Sequence, residues 1–579
     1  MVRRALLAAA SACALFAATG CAPENRNAAD VEAEALNQRE WDAFVSRFID
    51  GYFVQNPGFA VYQGRHEFDG KLPDWSAEGL AAQADFLKRS IADARKFDAK
   101  ALTEPQRFER DYLIAVAEGQ LFWLSDADQP HHNPAFYLGA GLDPNVYIAR
   151  PYADAETRMR AFIAFARNVP AAAAQIRANL RTPMPLSFID YGKAGFEGLA
   201  GYYVGDAKAA FASVKNAELQ REFDTAAGAA SKAMQELAVW LESGRKDATQ
   251  DFALGKDRFQ RMLYATERVD TPVAELERIG WADLRRNQAA LKSACDTFAP
   301  GASIADCMVK LNADKPEGGP VAGARRQLPM LKQFLIDKDI VSIPGAEEAL
   351  VEESPPYNRQ NSAYIDIPGP YEKGLPSVFY ISPPDPAWSP AVQQAYIPGE
   401  KDLLFTSVHE VWPGHFLNFL HANRAKSLFG KVFVGYAYAE GWAHYTEEMM
   451  WDAGLGEGDA ETHVGQLSNA LLRNCRFVSA IGLHSGTLSQ EGARKLFIEQ
   501  CYQDEGNARQ QAARGTYDPA YLNYTLGKLM IRKLRDDWTT QNGGRKAWKE
   551  FHNRFLGYGG PPIPLVRQMM LGGDGRAVF

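Results

Sequence analysis

His409-Glu410-Val411-Trp412-Pro413-Gly414-His415 is the stretch on which the reading of this 579-residue chain turns, with Glu440-Gly441-Trp442-Ala443-His444 as its downstream companion. Two imidazoles, a glutamate beside the first and a further carboxylate on a later segment make up a metal-binding donor set. In the common arrangement the two histidines stand four residues apart, one turn up a single helix face. Here they stand six apart. On an unbroken helix that spacing puts them roughly 120° out of register. Pro413 lacks a backbone donor and Gly414 relaxes the dihedral limits, so the spacing predicts a helix bulged or broken between the two rings. A distortion absorbing two residues would return His415 to His409.

Zinc held by two imidazoles and one carboxylate keeps a fourth position for water, the arrangement of a catalytic site. Glu440 is the expected third ligand, on a helix that passes the first after a turn around Phe429-Gly430. Glu410, beside the first ligand but aimed elsewhere, is then the expected general base. Histidine usage agrees, since six of the ten histidines (409, 415, 421, 444, 463 and 484) fall in one short stretch. His421 and His463 are read as packing residues. A solvated helix face is the competing reading for Glu440, as it is for Glu447 and Glu448.

Working outward, the N-terminus carries an address. Arg3 and Arg4 precede an apolar run, Ala5 to Ala18, too short for a permanent span, and Ala18-Thr19-Gly20-Cys21 has the form of a lipobox. The expectation is a lipoprotein signal over residues 1–20 and a membrane attachment by lipid at Cys21. Ala22 in place of Asp favours the outer membrane, and a plain secretory signal is the alternative. Residues 21–38 are rich in Ala, Asn, Asp and Glu and are read as a flexible tether. Of the remaining cysteines, Cys295 with Cys307 is the favoured bridge, and Cys475 with Cys501 is the second candidate.

The rest of the chain is mainly α in pattern. Leu526, Met530, Leu534 and Trp538, with Leu529 beside them, form one apolar stripe, and Thr271-Pro272 has the chemistry of a helix start. Between about 350 and 398 prolines punctuate two aromatic, β-branched runs, Ser362–Ile367 and Ser377–Ser382. These are read as a small hairpin or edge-strand pair beside the catalytic helix. The expected division is a helical N-terminal half, 39–345, and a catalytic half, 346–579. A net charge of −8 and a pI near 5.8 leave no basic stripe for phosphates, which argues against nucleic acid as a partner.

The His-Glu-x-x-Pro-Gly-His motif at 409–415, Glu440-Gly441-Trp442-Ala443 and the stretch from Arg476 to Lys528 together resemble the bacterial proteins grouped as domain of unknown function 885. The resemblance implies a large helical zincin-like metallopeptidase fold of the gluzincin type, usually on a lipoprotein. It implies Zn2+ as cofactor, His409, His415 and Glu440 as ligands, and Glu410 as base. It also ranks His484 and Tyr524, then Arg476, as groups that stabilise charge developing on a substrate carbonyl. Two positions depart from the pattern: Phe416 where members often have a second histidine, and His444 where they often have leucine. His444 is read as a partner of the ligands, a competing ligand or a packed polar residue.

The leading functional expectation is a zinc peptidase acting on short peptides in the bacterial cell envelope. The Ser377–Ser382 strand would take up an extended substrate along its edge. The alternatives are a zinc amidase on non-peptide amides and a non-catalytic, peptide-binding lipoprotein.

Overall fold

The computed structural model describes residues 28–139, 141–355, 359 and 362–579. The signal segment and Cys21 lie outside them. Residues 28–38, expected as part of a flexible tether, belong instead to helix α1 (Ala28–Gln55). The Ala and Glu that, with Asn and Asp, suggested a tether by composition are also strong helix formers, and Trp41, Val45, Phe48 and Ile49 anchor the helix in a core.

Two hydrophobic cores organise the molecule. The first holds the long helices α2 (Ala155–Asn179), α3 (Leu186–Val204) and α4 (Ala217–Ser243), with α4 packed across the other two. The second takes in Phe122 and Ala127, then α5 (Lys256–Glu267), α6 (Val273–Phe298) and α7 (Pro320–Lys338). The helices between about 256 and 338, assigned by sequence to the N-terminal half, therefore share their core with the metal motif. α6 lies along the central helix of the second core, while α5 also packs on the helix Glu104–Leu121 of the first.

The expected β pair is a three-stranded sheet. Strands β1 (Ala349–Glu353), β2 (Ala363–Asp366) and β3 (Ser377–Ile381) run in the order β1-β3-β2. β3 pairs parallel with β1, Val351 opposite Phe379, and antiparallel with β2, Ile365 opposite Phe379. β3 is thus the middle strand, not an edge. Its alternating burial, with Ser377, Phe379 and Ile381 inward, is that of a strand covered on one face.

The remaining elements surround one helix. In chain order they are α8 (Glu400–Glu410), α9 (His415–Ala422), α10 (Tyr436–Asp452), α11 (Ala460–Ser485), α12 (Glu505–Tyr517) and α13 (Asn523–Gln541). α11 is buried through most of its length, and α6, α8, α10, α12 and α13 all pack against it. The Leu526–Trp538 stripe of α13 is buried as expected. Both candidate disulfides are formed, Cys295–Cys307 and Cys475–Cys501, and the second staples α11 to the helix that follows it. In the loop-entropy picture each contributes about 3 kcal/mol.

Arg150 ties the two cores together. It is 3% exposed and donates to both carboxylate oxygens of Asp366 on β2, at 3.0 and 2.7 Å. Phe429, Val432 and Phe433, from the segment just before α10, join the first core, where the Tyr112 hydroxyl donates to the carbonyl of Phe433. No helix among the described residues is long and apolar enough to cross a membrane.

Candidate metal centre

α8 ends at Glu410, and α9 begins at His415. The helix is broken rather than bulged: Val411 leaves helical geometry, and the chain folds back so that Gly414 donates to the carbonyl of Val408 at 2.9 Å. Gly414 is required for space. A Cβ there would lie 1.7 Å from the carbonyl oxygen of His409, and its φ of −72° is one any residue adopts. Trp442, fully buried on α10, donates to the carbonyl of Pro413 at 2.8 Å and fastens the break to the helix carrying Glu440.

The result brings the last turn of one helix against the first residue of the next. The rings of His409 and His415 stand 4.8 Å apart and perpendicular. The Nε2 of each lies 3.3 Å from Glu440 Oε2, and the three ligand atoms fall within 4.8 Å of one another. That oxygen is buried and receives no hydrogen bond of good geometry. Two imidazole nitrogens and a carboxylate oxygen therefore face a common point, a donor set that suits a cation.

α10 supplies more than Glu440. One and two turns on, His444 and Glu447 point the same way, and both are completely buried. Glu447 Oε1 accepts from His409 Nδ1 at 2.7 Å, and Oε2 lies 3.2 Å from His444 Nδ1. Arg473 of α11 closes the cluster 3.3 Å from Glu447. Glu447 thus fixes the tautomer of His409 with its Nε2 lone pair toward the trio, as an outer carboxylate does for a metal-bound imidazole. Burial would raise the Glu447 carboxyl, but Arg473 and the two imidazoles hold it below the usual range. Burial lowers His444 to about 4, so this ring is neutral and serves as a partner of Glu447.

His409 shows the field at the centre. Burial and Arg473 oppose charge on its ring, yet Glu440 and Glu447 raise it to about 9. A point that attracts a proton against burial attracts a metal cation through the same carboxylates.

Glu410 is half-buried, and among the described residues its carboxylate joins no hydrogen bond or ion pair. Tyr524, at the start of α13, lies beside the trio, its ring 6.3 Å from that of His409 and nearly parallel. Burial and the nearby Glu440 raise its phenol against three neighbouring guanidiniums, so it keeps its proton at neutral pH. The Arg476 guanidinium stands 4.8 Å from the same ring. His484 does not join this group. Its Nε2 donates to the carbonyl of Gly515 and its Nδ1 accepts from the amide of Leu254, so both ring nitrogens serve the backbone while the ring stacks on Phe259. His421 bonds the carbonyl of Ser342, and His463 stacks on Trp451.

Sequence reasoning missed Glu447 and Arg473. The signal for Glu447 was present: positions 440, 444 and 447 are spaced by four and three, which puts all three on one helix face. Arg473 carried no such mark, since its role depends on how α11 crosses α10.

Two solved structures share the fold. One, "a putative lipoprotein of unknown function from Shewanella oneidensis", superposes with a TM-score of 0.76 at 24% identity, over 92% of this chain and 99% of its own. The other, "the putative lipoprotein from Colwellia psychrerythraea", gives a TM-score of 0.78 at 16% identity, over 92% and 98%. No curated protein matches the chain. The family described as "Bacterial protein of unknown function (DUF885)" matches residues 57–570, and this chain belongs to it.

Proposed function

We propose that the protein is a zinc-dependent peptidase of the cell envelope, with a zincin-like centre built from His409, His415 and Glu440. The observation that carries this reading is the meeting of two imidazole nitrogens at one buried carboxylate oxygen that no donor satisfies. When bound, zinc supplies Lewis acidity that acidifies water and polarises a carbonyl.

This chain's own residues do the rest. Glu440, with the two rings, would hold the ion, and Glu447 orients His409 for it. Glu410 takes a proton from the attacking water and passes it to the leaving amine. Its freedom from any other partner suits a base that must accept and release a proton in each cycle. Tyr524, neutral and beside His409, donates to the carbonyl oxygen as negative charge develops there.

Substrate docking along Ser377–Ser382 is not part of the proposal, because both edges of β3 are already paired. β2 is the outer strand that packs on α8, and strand addition beside the centre falls to it. The lipobox and the description of both structural relatives as lipoproteins support placement at the envelope by a lipid on Cys21.

Metal analysis paired with peptide hydrolysis tests the reading. About one zinc per chain is expected in both wild type and Glu410→Gln, with turnover lost only in the variant. Equal hydrolysis by the two proteins would remove Glu410 from its role, and protein that neither retains nor binds zinc would end the proposal.

A further inference from the structure

The basic side chains around the centre are paired, with one exception. Arg473 meets Glu447, Arg514 meets Asp518, and Lys528 meets Asp283 and Glu448. Among the described residues Arg476 has no acidic partner. It is 9% exposed, its Nε donates to Gln511 Oε1 at 2.8 Å, and among the described residues its two terminal nitrogens donate to nothing. Its guanidinium faces the ring of Tyr524, the same ring that lies beside His409. Tyr436, one turn before Glu440, stands 5.8 Å from Tyr524, and its hydroxyl accepts from Arg514 at 2.9 Å.

The terminal nitrogens of this largely buried side chain are not sealed off, and an anion reaching them would relieve the unfavourable burial of its charge. Here the cost is compounded, because burial, Arg514 and Arg473 all disfavour its charge. Its bond to Gln511 and its place over the Tyr524 ring use one nitrogen and one face, and leave its charge without a carboxylate among the described residues. The fork of an arginine fits a carboxylate in two parallel hydrogen bonds, and such a pair is strongest where water is scarce.

We infer that Arg476 is the anchor for a carboxylate of the substrate, held one aromatic ring away from the metal centre. The inference rests on the peptidase reading and names the substrate class for it. A terminal carboxylate necessarily lies on the C-terminal side of the bond being cut. A chain advances at most about 3.6 Å per residue, so the space spanned by the Tyr524 ring admits one or two residues between that bond and the anchor. The protein then removes one or two residues from the C-terminus of short peptides. An acidic side chain offers the same chemistry, and the test separates the two sources.

Three versions of one hexapeptide serve as probes: the free acid, its C-terminal amide, and the amide with glutamate as the last residue. Wild type should cleave the free acid near its C-terminus, as read by product mass. It should prefer that peptide to the plain amide by about 100-fold in kcat/KM, carried mainly by KM. In Arg476→Met the acid-to-amide ratio should fall close to one, and in Arg476→Lys it should be intermediate. The ratio is independent of how much variant folds. Recovery of the rate with the glutamate-bearing amide would identify a side-chain carboxylate as the ligand of the anchor. A wild-type ratio near one, or a ratio unchanged in Arg476→Met, would overturn the anchor.

Thermal stabilisation by a dipeptide free acid against its amide is the second readout, and it needs no turnover. Stabilisation by the acid alone, lost in Arg476→Met, without hydrolysis of any peptide would sustain the anchor and sink the peptidase reading. Equal stabilisation by acid and amide would sink the anchor even if peptides are cut.

Discussion

At the residue scale the centre is a set of side chains that hold one another in a single protonation pattern. His409 can present its Nε2 lone pair only because its Nδ1 proton is taken by Glu447, and Glu447 stays ionised in a dry place only because Arg473 and His444 face it. Replacing Glu447 by Gln keeps an oxygen for His409 but removes the charge that balances Arg473. Glu447→Gln should therefore weaken zinc binding by about 10–100-fold, measured by competition with a chelator. Glu447→Ala should weaken it further, because nothing then selects the tautomer. An unchanged zinc affinity in both variants would show that Glu447 serves packing alone. His484 gives the contrast within the same sequence stretch. A histidine in a motif-rich region looked like a reacting group, yet its two nitrogens close backbone hydrogen bonds between segments far apart in the chain. Sequence reveals residue type and spacing, and neither records which backbone groups need a partner.

At the scale of elements, the break between α8 and α9 is what converts an unworkable spacing into a shared point. It was legible: proline and glycine inside an otherwise apolar helical run require an interruption, and the misplaced second imidazole gave the interruption a purpose. The reason for the glycine was not legible. Its position on top of the His409 carbonyl appears only once the chain has folded back, and it is clearance that no β-carbon could share. Gly414→Ala should accordingly push the loop off the last turn of α8, costing about 1–3 kcal/mol of stability. The same shift should carry His415 away from the trio, so zinc content should fall together with the melting temperature. Retention of full zinc with a lowered melting temperature would mean that the loop relaxes without moving the ring. Gly441 and Gly527 make the same kind of close approach where α10 crosses α13, each sitting where a Cβ on the other helix would need to be. The sheet was half legible for a related reason. Alternation in Ser377–Ile381 marked a strand, but its place in the middle depended on β1, a short, largely exposed run paired with residues 28 positions further on. Pairing across such a separation leaves no local trace.

At the scale of the molecule, the second core is assembled mostly from segments after residue 256, and its joints contain ionisable groups that make stability a function of pH. Glu267 is the clearest of them. It ends α5, is 2% exposed, and its Oε1 accepts from the amide of Ala437 and from Asn523 Nδ2, so one carboxyl joins α5 to the first turns of α10 and α13. Its Oε2 has no partner. Burial raises this carboxyl to about 8, and the two donors do not offset that. In the unfolded chain a glutamate titrates near 4.3. Between those values the folded protein binds more protons than the unfolded one, so stability must fall as pH rises through this window. Below about 4 the group contributes no pH dependence, and above about 8 its full penalty, a few kcal/mol, is present. Glu267→Gln keeps the accepting oxygen and removes the titration. Denaturant unfolding of the two proteins between pH 5 and pH 9 should give similar stability at the acid end, with the variant progressively the more stable as pH rises. Parallel curves for wild type and variant would mean that Glu267 stays ionised in the folded state, with water or a cation reaching the oxygen that now lacks a partner.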